Sequence, residues 1–75
     1  MTPDRIHELS LIQILDYRTR LNAAAAGYPS HTAREVVTRN SQMLSAWEEI
    51  DRIRDWTALT TEQRSLLNEA AGPRV

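Results

Sequence analysis

Seventy-five residues allow one domain, 1–75, and an apolar share of 41% with 25% charged residues at a formal charge of -1 places the chain in the folding class and excludes the disordered one. A domain this small buries little surface and needs help from disulfides, a metal, self-association or good helix packing. With no Cys, disulfides and thiolate metal sites are excluded, and only His7 and His31 offer imidazole. The near-neutral balance argues against a protein that lives on phosphate contacts. No apolar run approaches the roughly 18 residues of a bilayer span. The N-terminus lacks the basic start and apolar centre of a signal peptide, so a cytoplasmic location with no membrane partner is expected. All nine basic residues are Arg and Ala is abundant, a bias associated with GC-rich coding and suggestive of an actinobacterial or phage source.

In chain order, Thr2-Pro3-Asp4 reads as a helix start: a capping hydroxyl, a Pro where its missing N–H is harmless, and an acid in the positive first turn. A first helix is predicted over about residues 3–26. At about 100° per residue Ile6, Leu11, Ile14, Leu15, Tyr17 and Leu21 share one broad apolar arc, opposite Arg5, Glu8, Asp16, Thr19 and Arg20. Leu9 and Ile12 fall at the edge of the polar side, so this helix carries more apolar surface than one neighbour covers, and both are interface candidates. Ala23 to Ala26 favour helix and admit a close backbone, and Gly27 and Pro29 then break it. Tyr28, beside Pro29 in the link, is a lesser anchor candidate.

Ser30 and Thr32 are both credible caps, and Thr32 with Glu35 forms a Thr-x-x-Glu capping box for a second helix over about residues 33–56. Its stripe, Val36, Asn40, Met43, Trp47, Ile50 and Arg54, alternates spacings of four and three, the rhythm of helices packed lengthwise. Two helices of about 24 residues, roughly 36 Å each, joined by a short link, make an antiparallel hairpin. A turn near Pro29 pairs Tyr17 with Met43, Leu21 with Val37 and Ile6 with Ile53. Thr60 and Gln63 offer another capping box for a short third helix over 61–71, with Leu66, Leu67 and Ala70 on one side and Gly72-Pro73 as its stop. It is expected to fold back over the open end of the hairpin, and the last three residues to fray. The fold class is thus all-α, a long helical hairpin with a short third helix, dimerising as a helical bundle.

Asn40 stands where the stripe calls for an apolar residue. A buried Asn fixes register and partner number between paired helices at a cost in stability; the alternative is an Asn hydrogen-bonded within its own chain. Asp4, His7 and Glu8 share a helical face, but a metal site needs further ligands and His31 belongs at the far end. They read better as a polar cluster in which Asp4 or Glu8 pairs with Arg54. Trp47 reads as core, whereas Trp56, off the stripe, either seats the third helix or stands as an interface anchor. Asp16 with Arg20 and Glu48 with Arg52 have the i,i+4 order of a solvated helix.

No Gly-rich phosphate loop exists, since the only glycines are Gly27 and Gly72. No triad arrangement is evident, and a small helical domain is expected to lack a concave pocket of about 300 Å3. No enzyme and no cofactor are expected. The composition and the surplus apolar face favour a protein–protein interaction module, a small phage or bacterial regulator that binds a larger protein and forms a homodimer. A nucleic-acid-binding regulator acting as a helical dimer is the alternative. Against it, the second helix is long for a helix-turn-helix, and its arginines are interspersed with acids.

Overall fold

The computed structural model describes residues 1–27 and 30–72, with the backbone alone at 30–32. These residues form α1 (Pro3–Gly27), α2 (Ser30–Ile53) and α3 (Thr61–Ala71). Helix α1 starts as its first residues dictate: Thr2 Oγ1 accepts from the Arg5 amide at 3.2 Å, and Asp4 sits in the first turn. It packs lengthwise on α2 in the expected hairpin. The register is visible at the open end, where His7 Nδ1 lies 2.6 Å from Asp51 Oδ1 across the two helices. It is visible again further up, where Tyr17 and Met43 line one valley.

Helix α2 differs from expectation at both ends. It begins at Ser30, about one turn early; the Thr32–Glu35 box, like Tyr28, Pro29 and the last three residues, lies outside the described side chains. It stops at Ile53, three residues short of Trp56, because Arg54 turns into the left-handed region (φ 50°) while its amide still bonds to the Ile50 carbonyl at 3.0 Å. A non-glycine residue holds that conformation at a cost. Here the Arg54 Nε donates to the Asp51 carbonyl at 2.8 Å, occupying one of the open acceptors of the helix end. Asp55 then reverses the chain: its carboxylate accepts from the Thr57 hydroxyl at 2.8 Å and the Thr57 amide at 3.0 Å. The early stop returns Trp56 and Leu59 to the core, and Leu59 is buried.

Helix α3 has its predicted bounds. Thr60 caps it, accepting from the Gln63 amide at 3.2 Å, while Gln63 Oε1 accepts from the Thr60 amide at 2.9 Å. Gly72, at φ 79°, ends it with its amide bonded to the Glu69 carbonyl. The core that results comprises Ile6, Leu9, Ile14, Trp47, Ile50, Leu59 and Leu67. Ala24, alone among the four consecutive alanines, is buried, where a larger side chain would hold α1 and α2 apart. Ser10 is also buried, its hydroxyl satisfied by the Ile6 carbonyl at 2.7 Å within the helix.

The packed face of α1 is not the expected one. Leu11 and Leu15, placed in the apolar arc, are exposed, and Leu9, placed at the polar edge, is buried. The cause is α3, which docks on α1 and brings Leu59 and Leu67 into the same cluster as Leu9. The covered arc therefore runs from Leu9 through Ile6 to Ile14.

Two outcomes check this account. Thr60→Ala removes a cap and should lower unfolding free energy by about 1 kcal/mol in urea titration. The Thr57 hydroxyl, then its amide, hold the Asp55 carboxyl below the usual aspartate range. Its contribution to stability is thus complete above that range and lost as pH falls through the lower folded value. Carboxyl NMR titration should give Asp55 a depressed midpoint that rises in Thr57→Val.

Candidate functional site

Two surfaces of the hairpin remain open. The first is a ridge on α1: Leu11, Ile12 and Leu15 are 41%, 54% and 62% exposed. Their mean direction on the helical wheel lies about 180° from the Ile6 side that packs into the core. Helix α1 therefore has apolar residues on two opposed sides, one covered and one open.

The second is a groove of about 530 Å3 between α1 and α2, walled by Tyr17, Arg20 and Ala23 on one side and Val36, Arg39, Asn40 and Met43 on the other. The expectation that so small a domain has no room for a concave pocket does not hold. The reason is length: α3 has 11 residues against 25 and 24 in its neighbours, so it fills only part of the interhelical valley. Where it does lie in the valley, Leu66, Glu69 and Ala70 face Gln13, Tyr17, Met43 and Trp47 across a smaller gap. Tyr17 and Met43 border both spaces, so the groove continues the line of α3.

Asn40 lies in the wall of this groove, 7% exposed, and its carboxamide makes no hydrogen bond among the described residues. Two turns on, along the same stripe, the buried Trp47 has its indole N–H without a partner among those residues. The two guanidiniums of the groove differ. Arg20 is held, 2.9 Å from Asp16 and 5.1 Å above the Tyr17 ring, whereas Arg39 is exposed and forms no ion pair among the described residues.

The remaining candidates fall elsewhere. Leu9, expected at an interface, is 4% exposed inside the chain's own core and has no surface left to offer. Trp56 is half-buried against that core and bears on the start of α3: the Arg64 Nε donates to its carbonyl at 3.0 Å and the Arg64 guanidinium lies 5.9 Å over its ring. Tyr28 is outside the described residues. The polar cluster at the open end forms, but with other partners than expected. Arg54 and His7 both meet Asp51, and Glu8 pairs with Arg5 at 3.1 Å, because the left-handed turn at Arg54 keeps its side chain beside its own helix. Likewise Arg52 pairs with Glu49, one residue nearer than the expected Glu48. Among the described residues no three His, Asp or Glu side chains gather as a metal group, and no helix is long and apolar enough to cross a membrane.

Of the three exposed residues of the ridge, the sequence pattern singled out Ile12 and placed Leu11 and Leu15 in the packed arc. A signal was present: Glu8, Leu11, Leu15 and Arg18 repeat the same three-and-four spacing as the α2 stripe, on the opposite side of α1 from Ile6. No protein-family model, no curated protein and no solved structure matches this chain.

Asn40→Leu should raise unfolding free energy by about 1 kcal/mol in chemical denaturation, since an apolar side chain of similar size at a position only 7% exposed extends the apolar stripe of Met43 and Trp47. A loss of stability instead would mean that the carboxamide is well bonded in the folded chain.

Proposed function

We propose that this protein is a non-enzymatic protein–protein interaction module, a small regulator that self-associates and covers a surface of a larger protein. The observation that carries the reading is the outward ridge of Leu11, Ile12 and Leu15. Isolated exposed apolar residues are ordinary, but three within little more than one helical turn form a contiguous patch, and such patches mark association surfaces. The charge of -1 adds no long-range repulsion between copies. The groove supports the same reading. Its polar groups are two guanidiniums, a phenol and a carboxamide, none of them a ready proton acceptor at neutral pH. It has the form of an unfilled place for a helix beside α3, not of a reaction centre.

Leu15→Glu is the discriminating variant. Leu15 is mostly in solvent, so at concentrations where the wild type is a single chain the variant's melting temperature should stay near that of the wild type. In sedimentation velocity across the micromolar range the wild-type mass should rise with concentration while the variant stays a single chain. A wild type that stays a single chain, together with a variant that keeps every partner the wild type retains from a host extract, would refute the reading.

A further inference from the structure

The ridge belongs to a longer seam. Asp4, Glu8, Leu11, Leu15, Arg18 and Asn22 follow one another at alternating spacings of four and three, and all six are exposed. That is the a/d rhythm of a coiled-coil seam, here on the side of α1 that neither α2 nor α3 covers. The seam has a direction: an acid at one end, two leucines in the middle, a base at the other. Laid against a copy of itself end to end, Glu8 meets Arg18, Leu11 meets Leu15 and Asp4 meets Asn22. Every layer then joins an a-type to a d-type position, as antiparallel helix pairs require. Laid side by side in parallel, the same seam sets Glu8 against Glu8 and Arg18 against Arg18.

We infer that the outward face of α1 is covered by the same face of a second copy, antiparallel, about a twofold axis at the level of Gln13. The inference rests on the reading of the ridge as the working surface and names its occupant. A twofold interface is self-complementary by construction, and the order of acids, leucines and Arg18 along this seam meets that demand. Its charges are available. Arg18 makes no ion pair among the described residues, and Glu8 is held only by Arg5, in a pair whose side chains are 45% and 61% exposed. So solvated a pair gives way readily to a new partner. Ile12 flanks the two leucine layers and widens the apolar strip. The strip is short beside a standard protein interface, so the dimer exchanges with single chains in the micromolar range.

The test is a charge-swap cycle on the full chain, read by sedimentation equilibrium, with circular dichroism melting to show that each variant is folded. Glu8→Arg alone and Arg18→Glu alone each place like charges in both layers that pair positions 8 and 18 and should weaken self-association about tenfold. The double variant restores opposite charges in the antiparallel register and should return to near the wild-type constant. A parallel pair would respond alike to all three, since like charges face each other in every case. Singles that associate as tightly as the wild type, or a double variant as weak as the singles, overturn the antiparallel pair. If Leu15→Glu still abolishes association in that case, the ridge keeps its role and only the register falls. A wild type that stays a single chain at every concentration overturns the second copy outright.

Discussion

The docking of α3 through Leu67, with Leu59 just before it, is the contact on which the arrangement of this molecule depends. Two antiparallel helices alone meet along one line and leave the flanks of both in water. Burying Leu67 and Leu59 against Ile6, Leu9, Trp47 and Ile50 converts that line into a core. The contact also chooses sides. With α2 on α1 and α3 adding cover at Leu9, the side of α1 opposite Ile6, with Leu11, Ile12 and Leu15, is the one left open. The turn that delivers α3 is braced by local bonds: a left-handed Arg54, then an Asp55 carboxylate that gathers the Thr57 amide and hydroxyl.

The short length of α3 has a second consequence. The valley between α1 and α2 is long enough for a helix of their own length, and an 11-residue helix fills only part of it. The rest is the groove whose wall holds Asn40, a residue 7% exposed whose carboxamide has no hydrogen bond among the described residues. Ser10, the other buried polar residue, is content with its own helix through the Ile6 carbonyl. The contrast separates a polar side chain that completes the fold from one left over by it. In such a domain, where little surface is buried, unfilled apolar and polar groups are costly enough that a partner covering them stabilises the folded chain.

Local chemistry was legible along most of the chain. Thr2-Pro3-Asp4, the Thr60–Gln63 box and Gly72 marked helix ends that the structure keeps, since caps act through residues three apart and need no tertiary context. The stripe through Asn40, Met43, Trp47 and Ile50 and the pairing of Tyr17 with Met43 also followed from spacing alone. The face of α1 did not. Apolar residues surround that helix, so its sequence offers several overlapping arcs, and periodicity cannot rank them. The stop of α2 was equally hidden, because nothing in Arg54 announces a left-handed residue; the pull comes from Leu59 and Trp56 reaching the core.

By itself, then, the order of residues determined three helices, most of their boundaries and the hairpin register, all consequences of capping and of the 3.6-residue repeat. Tertiary structure decided which side of α1 is inside, where α2 ends and that a groove remains, for a single reason. Those outcomes depend on where a distant short helix comes to rest, and that is settled by the joint burial of Leu9, Leu59 and Leu67, residues that no local pattern connects.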